Sequence, residues 1–313
     1  MKSTIVVVGS LNMDFVVSVD TLPAPGQTVL GFGFQMLPGG KGANQACAAG
    51  KLGGSEVLTR MAGRVGYDVF ADHLKASLSA AGVDVSAVHS SRSQPTGVAL
   101  IAVEKFGQNS IVVAPGANHV LEASDVEGLR STFRGASFAL FQLESPLDTV
   151  AAALRLAHEE GVRTILDPAP ARSLSLEMMG NVDILTPNES EACVLLGQAP
   201  GRVTTEGAVL LAEALLALGV GAVLMKLGDR GCFYRDREKE FLSAAFPVAA
   251  KDSTAAGDVF NGALAVALAE GRLLPECLRF ANAAAAISVT RAGAQASVPT
   301  RAEVNEFLAV SAS

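Results

Sequence analysis

The chain has 313 residues, half of them hydrophobic, enough for one large α/β domain with a sizeable core. A formal net charge of −7 argues against nucleic acid or an anionic membrane as the main partner. It leaves room for an anionic substrate held locally by backbone N–H groups.

The N-terminal apolar run is too short for a secretion signal. Residues 208–225 would attract a hydropathy scan, but Gly219 and Gly221 divide them into a helix and a short strand, so no membrane span is expected. Cys47, Cys193, Cys232 and Cys277 show no paired spacing and sit among apolar neighbours, as core thiols do in a reducing cytoplasm. The four histidines are scattered without ligand spacing.

Residues 4–8 form a β-branched run closed by Gly9, the pattern of a buried strand. Asn12 and Asp14 follow, at the edge where open α/β sheets bind ligands. In an extended segment both would face one ligand and could bond sugar hydroxyls; a turn with local Asn and Asp bonds is the alternative. Residues 15–20 and 30–34 alternate like half-exposed strands. Gly39, Gly40 and Gly42 then lead through Lys41 into a helix of small residues carrying Asn44 in its first turn. The spacing is not that of a Walker loop, and an ordinary glycine-rich turn would also fit.

Residues 56–62 read as a strand ending in Gly63-Arg64-Val65-Gly66, and 67–80 as a helix. Strands at 96–103 and 110–114 flank a turn around Gly107 and, with 15–34, could build a small projecting sheet. Beyond Gly116 strands and helices alternate. Strands are expected at 137–143, 163–167, 183–186 and 222–227, with helices at 146–160, 189–196 and 204–218. This alternation implies a largely parallel sheet covered on both faces. Glu144 lies just past a strand, within reach of a ligand hydroxyl. Asn188, Glu189 and Glu191 open a helix, where capping chemistry is the better account of Glu189. The turn at 226–231 has glycines that let a nucleotide lie close, or simply closes a hairpin.

Asp252-Ser253-Thr254-Ala255-Ala256-Gly257-Asp258 runs directly into an Ala-rich helix, aiming unpaired N–H groups and the positive helix end at one spot. Beside an anion bound there, Asp258 would serve as a proton acceptor; as a helix cap it would need no ligand. Residues 273–288 form a second Ala-rich helix containing Asn282, residues 290–295 are rich in carbonyls that could face a monovalent cation, and 301–310 form a terminal helix.

In this order Gly39-Gly40-Lys41-Gly42-Ala43-Asn44 and the stretch from Asp252 to Asp258 resemble the ribokinase (PfkB-type) family of sugar kinases over nearly the whole chain. Asn12-x-Asp14, Gln142-Leu143-Glu144-Ser145-Pro146 and Ala292-Gly293-Ala294-Gln295 add to the likeness. The resemblance implies an α/β fold of three layers, α/β/α, with a mostly parallel central sheet. A β lid would come mainly from about 13–36 and 95–115, and homodimers would form through it. It implies phosphoryl transfer from MgATP to the 5-hydroxyl of D-ribose. Asn12, Asp14, Gly40, Lys41, Asn44 and Glu144 would hold the sugar, with Asp258 as base and the N–H groups of Ala255, Ala256 and Gly257 as anion hole. Asn188, Lys226, Leu227, Gly228, Asp229, Arg230, Gly231, Gly257 and Asn282 would line the ATP site, Glu191 positioning Mg²⁺ indirectly. An activating K⁺ would lie among Asp252, Thr254, Ser288, Arg291, Gly293 and Ser297. Ala255 stands where the wider family has Gly, and Arg64 occupies a variable position. A sister kinase for fructose, a deoxy-keto-sugar acid or a nucleoside would share the Asp258 end, and a sugar-binding protein of this fold is the non-enzymatic rival. A nicotinamide-dependent dehydrogenase is excluded by the missing G-x-G-x-x-G after the first strand.

Overall fold

Continuous aliphatic runs closed by glycines or polar turns make most of the strands in a computed structural model that describes residues 2–105 and 108–311. The turn expected around Gly107 lies outside the described residues. In chain order the strands are β1 (Ser3–Val8), β2 (Asn12–Val19), β3 (Gly31–Gly39), β4 (Val57–Gly66), β5 (Val83–Ser91), β6 (Gly97–Glu104), β7 (Asn109–Ala114), β8 (Phe138–Phe141), β9 (Arg163–Leu166), β10 (Ile184–Leu185), β11 (Ala222–Lys226), β12 (Cys232–Arg235) and β13 (Glu240–Ser243). Nine form one sheet in the order β13-β12-β11-β10-β9-β8-β1-β4-β5. It is parallel from β11 to β5 and closes with the antiparallel β11-β12-β13 edge.

Alternate residues of β1 serve opposite layers. Ile5 and Val7 pack with helices Lys41–Gly53, Ala256–Ala269 and Leu274–Val289, whereas Val6 and Val8 pack with Leu147–Glu159 and Thr205–Ala217. This is the three-layer α/β/α arrangement with a mostly parallel centre. A second sheet, ordered β3-β2-β6-β7, pairs β2 with β6 in parallel and its other neighbours antiparallel.

The structure departs from the sequence expectations at three places. Strand β4 continues through Gly63-Arg64-Val65-Gly66 because β5, which sequence patterning did not mark, pairs with it as far as Gly66 and Ser91. Strand β13 is held by register with β12, from Cys232 opposite Ser243 to Arg235 opposite Glu240, rather than by its own short pattern. Residues 116–133 carry short helical turns, including Ala123–Val126 and Arg130–Phe133.

Two helices rich in small residues, Lys41–Gly53 and Ala256–Ala269, pack directly at Gly262, facing Ala48 and Gln45. A Cβ at Gly262 would stand 2.6 Å from the Ala48 Cβ and 2.8 Å from the Gln45 carbonyl oxygen. Both neighbours belong to the packed interior and cannot retreat cheaply. Gly262→Ala should therefore cost about 1–3 kcal/mol by overpacking. Calorimetry should register this as a melting temperature lowered by several degrees, and an unchanged value would show that the two helices are free to separate.

Candidate functional site

Asp258 is the third residue of its helix and is only 4% exposed. Its carboxylate does not cap that helix. Oδ2 accepts from Asn44 Nδ2 at 3.0 Å and Oδ1 from Gln45 Nε2 at 3.1 Å, both on the facing helix. Burial pushes the carboxyl up to about 6; Lys41 opposes the rise, Asp167 adds to it, and the two amide bonds counter it.

Gln45 also donates to Asp167 Oδ2 at 2.9 Å, and the other oxygen of Asp167 accepts from Lys226 Nζ at 2.8 Å. Burial works against the Lys226 ammonium, but Asp167 and Glu191 hold it above its ordinary range. Lys41 is likewise held high: burial opposes its charge and is outweighed by Asp258, Asp167, Glu144 and Glu191. These groups meet at a cavity of about 280 Å³ lined by Lys41, Asp167, Lys226, Gly257, Asp258 and Asn282 among others.

On the sugar side of the expected site, Asn12 and Asp14 lie on β2, not in a turn. Asn12 Oδ1 accepts from Asn118 Nδ2 at 2.8 Å, which leaves the Asn12 amide N–H groups to face a ligand. Asp14 is pushed up to about 7, first by burial and then by Glu144 and Asp258. Gly40 joins β3 to helix Lys41–Gly53 at φ 88°, and a Cβ there would stand 2.8 Å from the Asn12 nitrogen. Glu144 Oε2 accepts from the Lys41 backbone N–H at 3.0 Å and from the Ser10 hydroxyl, so this oxygen serves the helix N-terminus. Asn44 Oδ1 is buried and has no protein partner among the described residues. Asn44, Lys41, Asp14 and Glu144 are thus joined to Asp258 or to one another. Lys41 and Asp258 line the cavity above, whereas Asp14 lines a second cavity of about 510 Å³ that shares Ser253 and Thr254 with it, and Asn12 and Gly40 pack together outside both linings.

On the phosphate side the cavity itself brings together Asn188, Lys226, Gly228, Gly231, Gly257 and Asn282. Asn188 and Glu191 form a reciprocal capping box, with bonds of 2.8 and 2.7 Å, and both line the cavity. Burial pushes Glu191 up; Lys226 opposes this and Asp167 adds to it. Glu189, for which capping was expected, instead accepts from the Val203 N–H at 2.7 Å and from Arg230 Nη2 at 2.5 Å. Gly228 and Gly231 line the cavity. Leu227, Asp229 and Arg230 do not present their side chains there: Leu227 is in the core, Asp229 pairs with Arg202, and Arg230 pairs with Glu189. Of the three expected anion-hole N–H groups, that of Ala256 donates to the Ser253 carbonyl at 3.2 Å, and no such bond engages Ala255 or Gly257 among the described residues. Asn282 Nδ2 reaches Ser243 Oγ at 3.1 Å and the Ala244 carbonyl at 3.2 Å, tying its helix to the end of β13.

Asp252 links the two segments of the expected cation site. Burial opposes its charge, but N–H bonds from Thr254 and Gly293, both 2.9 Å, and the Thr254 hydroxyl keep it below the usual carboxylate range. Ser288 Oγ and Ser297 Oγ donate to the carbonyls of Ala285 and Ala294, and Arg291 is drawn to Glu303 at 2.5 Å. Arg64 pairs with Asp125 at 2.6 Å and does not line the cavity.

Sequence reasoning missed Gln45, Asn118, Gln142 and Asp167. Asp167 was accessible by the rule that singled out Glu144, since both follow strand ends. The other three act only through partners distant in sequence.

Raised Asp14 has a consequence for stability. A carboxyl higher in the folded chain than its free value of 3.8 costs nothing when protonated in both states; its penalty builds as pH rises above 3.8 and is complete once pH passes the folded value of about 7. Asp14→Asn should melt above the wild type at pH 8, with the gap closing by pH 4. A gap independent of pH would place the effect in packing instead.

Residues 2–301 match the pfkB family of carbohydrate kinases. The ribokinase of Haemophilus influenzae is 40% identical over 308 residues, 98% of this chain and 99% of that protein. The ribokinase of Bacillus subtilis is 41% identical over 304 residues, covering 97% and 99%. The solved structure of Arabidopsis thaliana ribokinase complexed with ribose and ATP is similar with a TM-score of 0.88 at 36% identity, covering 98% of this chain and 99% of that one. The chain belongs to the pfkB family of carbohydrate kinases.

Proposed function

We propose that the protein transfers the γ-phosphoryl group of MgATP to the 5-hydroxyl of D-ribose, giving D-ribose 5-phosphate and ADP. The observation that carries this reading is a buried carboxylate, Asp258, at the start of a helix whose first residues line a cavity that Lys41 and Lys226 also line. Ribokinases at 40–41% identity over nearly the whole chain support the sugar.

Phosphoryl transfer needs alignment and charge stabilisation rather than covalent catalysis. Asn12, Asp14, Gly40, Lys41, Asn44 and Glu144 hold the sugar so that its outer hydroxyl meets Asp258, which takes the proton. With its carboxyl at about 6, Asp258 is ionised at neutral pH yet remains a better base than a free aspartate. The N–H groups of Ala255 and Gly257, with a smaller share from Ala256, stabilise charge on the transferred group. Lys226, Gly228, Gly231, Asn188 and Asn282 border the nucleotide, and Leu227, Asp229 and Arg230 shape its loop from behind.

The oxygen donors of Glu191 and Asn188 suit Mg²⁺ held through water and phosphate, where it would neutralise phosphate charge. Among the described residues no three His, Cys, Asp or Glu side chains cluster in a way that could hold a metal ion. For K⁺ the donors at Asp252, Thr254, Ser288, Arg291, Gly293 and Ser297 are oxygens. With the Ser288 and Ser297 hydroxyls and Asp252 already bonded, backbone carbonyls would carry that site. The small sheet acts as the lid. Its outer face exposes Phe34, Met36, Leu100 and Val112, each more than half accessible, and this apolar surface supports pairing with a second copy. Among the described residues no helix is long and apolar enough to cross a membrane.

The test is ATP consumption with pentoses, hexoses and nucleosides, with and without K⁺. Ribose should be the preferred acceptor; turnover with fructose or a nucleoside and none with ribose would overturn the assignment. Asp258→Asn should lose about 100–10,000-fold in kcat while still binding ribose in calorimetry. Since only ionised Asp258 accepts a proton, wild-type kcat should fall as pH drops below about 6.

A further inference from the structure

Among the described residues Gln45 bonds both Asp258 and Asp167, and it does so from a fully buried position. A primary amide has two N–H donors, and the bonds of 2.9 and 3.1 Å use both on carboxylates. The amide oxygen accepts from Gln142 Nε2 at 2.7 Å. This third bond fixes the direction of the amide. A flipped Gln45 would set its oxygen against two carboxylate oxygens and its N–H₂ against that of Gln142.

We propose that Gln45 is a positioning residue. Its amide aims the proton-accepting oxygens of Asp258 and ties them to the Asp167–Lys226 pair on the phosphate side, while Gln142 sets the direction of that amide. The inference deepens the phosphoryl-transfer reading and rests on it. Asn44 alone leaves one oxygen of Asp258 without a side-chain donor, and the carboxylate can then rotate about its Cβ bond. Gln45 removes that freedom. It also sets the separation of the acceptor and phosphate ends, since Asp167 in turn holds Lys226. A buried amide that served only packing would not need both of its donors on two separate charged side chains.

The charged groups that act on Asp258 are Lys41 from helix Lys41–Gly53, Asp167 after β9 and Asp14 on β2; Lys226 on β11, Glu144 after β8 and Glu191 on helix Glu189–Leu195 act on Lys41 in turn. Of these and the amides, Gln45 contributes a bond that favours the ionised form. Its loss moves the acid limb of kcat to higher pH.

The experiment compares wild type, Gln45→Met and Gln142→Met. Methionine keeps the length and removes the hydrogen bonds. Gln45→Met should lower kcat about 10–100-fold, as expected for a reacting group misplaced by up to an ångström, with KM for the sugar changed less than about threefold. Its acid limb should shift upward. Gln142→Met should show a smaller change of the same kind. Infrared titration gives a readout that needs no turnover: the protonated-carboxyl band absent from Asp258→Asn should appear at higher pH in Gln45→Met than in wild type. A kcat within threefold of wild type, or a lower kcat with both the acid limb and the band unmoved, overturns the proposal. Should Gln45→Met fail to fold, the same criteria apply to Gln142→Met. Absence of sugar phosphorylation by the wild type would sink the functional reading alone, because the infrared comparison still decides whether Gln45 orients Asp258.

Discussion

Everything at this site follows from the burial of one carboxylate between two closely packed helices. Removing an ionised Asp from water is expensive unless donors replace its hydration. Here amides from Asn44 and Gln45 replace it in part, and Lys41 supplies charge from nearby. Two neutral amides stabilise an anion less than a direct ion pair would. The result is a carboxylate left raised, about two units above its free value, instead of depressed as salt-bridged aspartates are. A base of that strength is ionised in neutral solution and still accepts a proton readily. Helix packing and base strength are therefore one property: the absence of a Cβ at Gly262 lets the helices approach until Gln45 reaches Asp258.

The charge balance of the cavity gives a second constraint. Five carboxylates around it, Asp14, Glu144, Asp167, Glu191 and Asp258, are coupled to one another or to two lysines, Lys41 and Lys226. A surplus of carboxylates repels bare triphosphate. Asp14, raised to about 7, relieves part of the surplus by holding a proton at neutral pH, and under the proposed function a divalent cation arriving with the nucleotide would relieve more. The same surplus explains why Lys226 and Lys41 stay charged despite burial.

Much of this was legible in the sequence, because the chemistry sits in short local stretches. Asp258 follows its loop directly, Asn12 and Asp14 share one strand, and Lys41 and Asn44 share one helix turn. The layered architecture was equally legible, since β-branched runs alternate with helical ones after Gly116. What escaped reading depends on distant partners. Gln45 is unremarkable beside Asn44 until Gln142, Asp167 and Asp258 surround it. Strand β5 is recognised only by its pairing with β4. Asn118 matters because it bonds Leu11 and Asn12, more than 100 residues away. Glu189 looked like a capping acid because position in a first turn is local information, whereas its bonds to Val203 and Arg230 are not.

The loop after β11 shows how, in the proposed function, a residue would belong to a nucleotide site without its side chain reaching the cavity. Its glycines face the cavity, and the side chains between them face away. Arg230 reaches Glu189, the residue next to Asn188, through a half-buried ion pair. Asp229 reaches Arg202 in the open, where a single pair adds little stability. The Arg230 pair is the stronger of the two because solvent screens it less. It locks the glycine turn to the very helix start that carries Asn188 and Glu191. Leu227 completes the arrangement by anchoring the turn's first residue in the core against β11. Backbone and glycine therefore border the cavity, while charge and hydrophobic contact behind them fix where that border lies.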